Sequence, residues 1–191
     1  YNVRLRVLSS FEDTDENSGT LVCGEEEIME SKVVSGVAYS RDEAKLTLMS
    51  VEDRPGIAAA IFGPLATAGV NVDMIVQNIS EKHVGGHSIA VTDMTFSCPV
   101  NQVPRAQKAL TDAAATGSAT YDDLIVDTDV SKVSVVGIGM RSHAGVAAQM
   151  FSALSAENIN IKVIGTSEIK ISVLIDRKYM ELAVQALHDA F

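Results

Sequence analysis

The chain has 191 residues, 47% of them hydrophobic, enough for one or two domains with a real core. A formal net charge of −10 argues against nucleic acid as a partner, because phosphates need Lys and Arg, and the absence of Trp with only 5% aromatics leaves no base-stacking platform. Cys23 and Cys98 form no spaced framework and read as reduced thiols of a cytoplasmic protein, and no apolar run nears the ~20 residues of a membrane span.

No signal peptide is evident, and Tyr1 stands where a start Met would, so the chain is expected to be a piece of a longer one. The run Glu25-Glu26-Glu27 reads as a solvated linker. Val33 to Tyr39, V-V-S-G-V-A-Y, reads as a strand with no partner nearby. Ala44 to Val51 alternates, with Leu46, Leu48 and Val51 apolar, and is a second strand. Asp53-Arg54-Pro55-Gly56 breaks it and opens a helix, with Asp53 near the cap and Pro55 in the first turn. Ile57, Ile61 and Leu65 form one apolar face. Pro64 inside that pattern should kink or weaken the helix, and Gly69 ends it. Asn71 to Gln77 is a strand, Gly85-Gly86 a turn and Ile89 to Phe96 a strand. A helix over 103–115 follows, with Val103, Ala106 and Leu110 on one side, and then a strand near Ala119 to Val126.

The pattern then repeats. Lys132 to Ile138 is a strand, Gly145 to Glu157 a helix, Asn160 to Thr166 and Lys170 to Ile175 strands, and Lys178 to Ala190 a helix. Gly56 matches Gly145, Phe62 matches Phe151, Leu65 matches Leu154 and Asn71 matches Asn160 at one constant spacing. Beyond the middle strand the spacing drops, because the first copy carries twelve more residues, expected in a loop around Glu81 to His87. The second copy ends without a fourth strand, and the unpartnered Val33–Tyr39 segment supplies one. Two βαββαβ units follow, the first inserted into the second, in an α+β, ferredoxin-like architecture.

A strand-to-helix turn offers unpaired N–H groups and the positive end of a dipole, which suits a carboxylate. Asp53, Arg54, Pro55, Gly56, Ile57 and Ala58 form such a turn. The next strand is expected to begin beside it, so that Asn71, Val72 and Asp73 face a ligand ammonium. By a period of two, Gln77 lies on the same face as Asn71 and Asp73. Two plainer roles compete: Asp53 as a helix cap, and Asn71 and Asp73 as a solvated strand start. His83 and His87 read as a surface loop and not a metal site. Ser142 at the third glycine position turns Gly137-Ile138-Gly139 into a tight turn and not a dinucleotide loop. No catalytic constellation stands out.

The stretches S-G-V-A-Y-S-R-D-E-A-K-L-T, V-E-D-R-P-G-I-A, V-N-V-D-M-I-V-Q-N-I-S, G-M-R-S-H-A-G-V and T-S-E-I-K-I-S-V-L-I resemble the C-terminal regulatory region of aspartate kinase, with its paired ACT domains. The resemblance covers about Val33 to Phe191, and residues 1–30 resemble the end of that family's kinase domain with its linker. It implies a first ACT domain at 44–128 and a second made of 31–41 plus 129–191. It implies feedback inhibition by L-threonine, L-lysine or both of an attached kinase that phosphorylates aspartate toward lysine, threonine and methionine. No cofactor is expected in this chain, and ATP would be used by the missing kinase domain. The expected partners are those amino acids, the kinase domain of the same protein and a second copy in a homodimer, with no nucleic acid and no membrane. In the first copy the resemblance implies the residues named above. In the second it implies Val146, Ala147, Asn160, Ile161, Ser167 and Glu168. Lys162 replaces Asp73, Thr166 replaces Gln77 and Ala144 replaces Pro55, so two unequal sites are expected. A natural short subunit and a truncated piece both fit, and a stand-alone amino-acid sensor is the alternative reading.

Overall fold

The structure is a computed structural model that describes residues 5–8, 10–11, 19–22, 33–84, 87–137 and 145–191, with the side chains of 80–89 outside that description. A short antiparallel pair, β1 (Leu5–Val7) and β2 (Thr20–Val22), stands apart from the rest. The main body follows as β3 (Gly36–Glu52), α1 (Ile57–Thr67), β4 (Asp73–Val84), β5 (His87–Pro99), α2 (Val103–Ala115), β6 (Asp123–Val136), α3 (Val146–Ala156), β7 (Ile161–Thr166), β8 (Lys170–Asp176) and α4 (Met180–Ala190). Its strands form one antiparallel sheet in the order β4-β5-β3-β6-β8-β7.

Two strands belong to both units. The segments expected as separate strands, Val33–Tyr39 and Ala44–Val51, are the two halves of the single 17-residue β3. Its first half, Gly36 to Ser40, pairs with Val136 to Lys132; its second half pairs with β5 and with the first half of β6. The second unit thus takes its fourth strand from the N-terminal side, as the missing strand required. A register shift between Ser40 and Glu43 marks the crossing. The extra residues of the first copy are not in a loop around Glu81 to His87, as expected: β4 and β5 have 12 and 13 residues where β7 and β8 have 6 and 7, so the insertion lengthens a hairpin. Strand pairing satisfies backbone groups that a loop would leave to water. His83 pairs with Ser88, and Val84 with His87, at its tip.

The four helices among the described residues cover one face. Leu46, Leu48, Ile61, Leu65, Phe96 and Leu110 fill the first core, and Met150, Leu154, Val173, Ile175 and Leu187 the second. Helix α1 passes through Pro64 without ending, and the proline's carbonyl accepts the Ala68 N–H at 3.0 Å. The helix closes at Gly69 (φ +67), with Gly69 N–H on Ala66 O and Val70 N–H on Leu65 O, both 3.0 Å. Helix α3 ends the same way, with Asn158 (φ +55) in the glycine's place and Ile159 N–H on Leu154 O. Asp53 does not cap α1. Gly56 (φ +89) takes the cap position, no side chain bonds the first turn, and Asp53 donates its N–H to Ala90 O at 3.4 Å.

The face away from the helices curls. Strands β4 and β7 lie at opposite ends of the sheet order, yet Met74, Val163 and Leu174 form a small buried cluster between them. Twist accumulated along strands as long as β3 and β6 brings the two edges together. Polar groups fill the enclosed face: Ser97 is buried, and Ser134 and Ser172 share a 2.8 Å hydroxyl hydrogen bond.

Candidate functional site

The residues expected to form one site fall into separate places. The turn Asp53–Ala58 lies at the far end of β3, with Asp53, Arg54, Pro55, Gly56 and Ala58 exposed and Ile57 buried as the helix's first core residue. Arg54 Nε bonds Glu52 Oε2 at 3.2 Å. Helix α3 opens in the same fashion: Gly145 has φ +108, no side chain among the described residues caps the first turn, Val146 is buried and Ala147 is half-buried. Both helix starts leave amides available to an anion.

Strand β4 does not begin beside the first turn. Asp73 pairs with Ser97, which pairs with Lys45; Glu52, next to the turn, pairs with Val91. At ~3.3 Å per strand residue, Asp73 and Asp53 are about 20 Å apart along the sheet. The cause is connectivity. Helix α1 runs back along the sheet, so β4 must start at the end where β3 begins. Asn71 and Val72 lie at that end too. The Asn71 N–H donates to Gln102 Oε1 at 2.7 Å, and Val72 packs on the first core.

Gln77 is not on the same face as Asp73. Asp73 pairs with Ser97 but Val76 pairs with Thr95, a bulge centred on Met74, whose φ is +49. One inserted residue inverts the alternation that follows. Gln77 therefore lies opposite Met94, on the helix-covered face at an exposed edge, and Asp73 points to the enclosed face.

There Asp73 meets a lysine that sequence reasoning missed. Lys132 Nζ lies 3.0 Å from Asp73 Oδ2 and 2.7 Å from Glu43 Oε1. Met74 N–H donates to Asp73 Oδ1 at 2.8 Å. Burial pushes the Asp73 carboxyl up, but the Lys132 and Met74 hydrogen bonds and the charges of Lys132 and Lys170 outweigh it and hold it below its ordinary value. Burial likewise pulls Lys132 down, and its two carboxylates carry it above the ordinary lysine value. Lys162 of the second unit likewise holds Asp127 of the first at 2.7 Å and Asp176 of its own at 2.5 Å. Lys162 is raised and Asp127 lowered against opposing burial for the same reasons. An ionisable residue inside the otherwise uncharged β6 pattern V-S-K-V-S-V was the available signal for Lys132.

The curl creates a cleft of about 380 Å³ between the units. Asp73 and Met74 form one side; Gly165, Ser167, Lys170 and Ser172 form the other. A Cβ on Gly165 would lie 3.4 Å from Met74 Cε. Asp73 and Ser167, expected in two different sites, thus share one cleft, with Glu168 exposed just beyond. Asn160 and Ile161 line a separate depression of about 380 Å³ with Phe151 and Ser155, at the end of α3. The cleft combines a carboxylate, an ammonium and hydroxyls, a set suited to a small zwitterion. Among the described residues no group of three or more His, Cys, Asp or Glu is placed to hold a metal, and no helix is long and apolar enough to cross a membrane.

ACT domain models match residues 45–115 and 133–191. The whole chain is 52% identical to an aspartokinase of Pseudomonas aeruginosa and spans 44% of that protein. The regulatory subunit of aspartate kinase from Thermus thermophilus, solved ligand-free, superposes with a TM-score of 0.72 at 39% identity over 84% of this chain and 99% of that one. The chain belongs to the aspartate kinase family, as its regulatory region. Escherichia coli aspartokinase III, solved in complex with lysine and aspartate, shares the fold over 92% of this chain and 36% of its own (TM-score 0.63, 23% identity). The regulatory region spans less than half the length of the curated relatives it matches.

Proposed function

We propose that this regulatory region binds L-lysine, L-threonine or both and relays their occupancy to an aspartate kinase domain of the same protein. That domain would use ATP to phosphorylate the aspartate side chain in the cytoplasm, and bound effector would inhibit it. Groups suited to an amino acid lie at separate places: helix starts at Gly56 and Gly145 with no side-chain cap among the described residues, suited to a carboxylate, and Asp73, far along the sheet from the Gly56 turn, suited to an ammonium. The relatives are aspartate kinases, and one protein of the same fold was solved with lysine.

The observation that carries the assembly is the separation of the site's parts. The Asp53–Ala58 turn and the strand starts at Asn71 and Asn160 lie too far apart to close on one small ligand within one chain. A homodimer would solve this if the turn and Gln77 of one copy met Asn160 and Ile161 of the other. Strand β4 is an outer strand with Ile75 54% and Ile79 70% exposed, a surface that pairing would cover.

Calorimetry with L-lysine and L-threonine, singly and together, tests the ligand. Binding heat is expected with at least one, and no heat and no thermal shift at millimolar levels removes the reading. Sedimentation tests the assembly, and a monomer with and without amino acid removes the dimer.

A further inference from the structure

Lys132 already bonds the Asp73 oxygen that a ligand ammonium would seek. Its Nζ lies 2.7 Å from Glu43 Oε1 and 3.0 Å from Asp73 Oδ2. The two carboxylates differ in access. The Glu43 side chain is 8% exposed and the Asp73 side chain 50%, and the lysine itself is 18% exposed. Glu43 therefore anchors the ammonium from within, and the bond to Asp73 is the one that a ligand in the cleft can reach. The carboxylate's other oxygen, Oδ1, is taken by the Met74 N–H. Oδ2 is thus the oxygen that is not committed to the backbone, and Lys132 holds it.

We infer that Lys132 is a built-in counter-cation that competes with the ligand's ammonium for Asp73 and so sets the affinity of the cleft between β4 and β7. The inference rests on the reading of Asp73 as an effector contact. A ligand ammonium that bonds Oδ2 either displaces Lys132 or sits beside a like charge, and both weaken binding. Apparent affinity falls with the fraction of time the carboxylate is free. The exchange also has a mechanical consequence. Lys132 lies on the half of β6 that pairs within the second unit, and Asp73 begins β4 of the first. Occupying Asp73 therefore removes a bond that ties one unit to the other.

The repeat makes this arrangement one-sided. At the spacing that matches Gly56 with Gly145, Glu43 corresponds to Lys132 and Asp73 to Lys162. The first unit places acids where the second places lysines. Lys162 is itself clasped by Asp127 and Asp176, so the second unit has no carboxylate at the position that Asp73 fills in the first.

The test is a double variant, Glu43→Gln with Lys132→Met, which removes the cation without leaving a buried carboxylate unpaired. Titration of L-lysine and L-threonine into the parent chain and the variant should show affinity rising about tenfold for the amino acid that binds. Adding Asp73→Asn should abolish the gain. Equal affinity in the folded double variant, or a gain that survives Asp73→Asn, overturns the inference and leaves the ligand reading standing. No binding to either protein overturns both. Should the double variant not fold, nitrogen NMR of the lysine ammonium groups in the parent chain decides. The Lys132 resonance should shift at saturating amino acid, and an unmoved resonance at saturation overturns the inference.

Discussion

Single residues decide how the two helix starts are built. Gly56 and Gly145 have φ of +89 and +108, and a Cβ at either would meet nothing within 4 Å among the described residues. Their requirement for glycine is therefore one of backbone conformation and not of space. Gly145→Ala should cost about 1–2 kcal/mol, read as a lower midpoint in denaturant with an unchanged slope; an unchanged midpoint would show that the left-handed turn is not populated in solution. The clasped charges set a pH window. Asp73 and Asp127 are held below 3.8, so their contribution is present above the unfolded carboxyl value and is lost as pH falls through the lowered one. Lys132 and Lys162 are raised above 10.5, so theirs is present below that value and is lost as pH climbs through the raised one. Thermal melts should show a plateau between about pH 4 and 10. The acid-side loss should be smaller when Asp73→Asn and Asp127→Asn are combined, and an acid limb of undiminished size would count against the clasps.

Elements hold together through the crossing of β3 and β6. Gly137 lies just past β6, and a Cβ there would come 2.3 Å from Val33 O and 2.8 Å from Val34 Cα. That backbone leads into the half of β3 that the second unit borrows, and Ser35 N–H bonds Val136 O at 2.8 Å. Gly137→Ala should push this segment away and loosen the second unit more than the first. Hydrogen exchange is the direct check: β6 and β8 amides near Val136 and Lys170 should lose protection while β5 amides near Phe96 keep theirs. Equal loss in both would mean that the crossing is not local.

For the whole molecule, the shared strands make the second unit depend on chain that precedes the first. A chain beginning after Arg41 keeps the second half of β3 and hence the first core, but it strips the second sheet of Gly36–Ser40. Such a chain should retain protected amides in α1 and α2 and lose them in α3 and α4. A fully protected second unit would show that its three remaining strands suffice. The aspartate kinase regulatory region is thus two repeats that are adjacent in space and interlocked in sequence, which suits a device meant to pass a change in one unit to the other.

Local periodicity determined most of the elements. The apolar spacing at Ile57, Ile61 and Leu65, and at Met150 and Leu154, depends on neighbours one helical turn away, so helices α1 and α3 were legible from the sequence itself. The source of the second unit's fourth strand was legible as well, because Val33–Tyr39 was the segment left over, but not that β3 and β6 each run unbroken where two separate strands were expected, Ala119–Val126 and Lys132–Ile138 in the case of β6. Much of the candidate site was not. A bulge at Met74 inverted the face of Gln77, since one residue in a left-handed conformation undoes a count by twos. The direction of α1 separated the Asp53 turn from Asp73. Lys132 and Asp73 are 59 positions apart, and no local pattern joins them. Their pairing exists because long, twisted strands curl the edge strand β4 over the interior strand β6, and that curl is a property of the folded sheet as a whole.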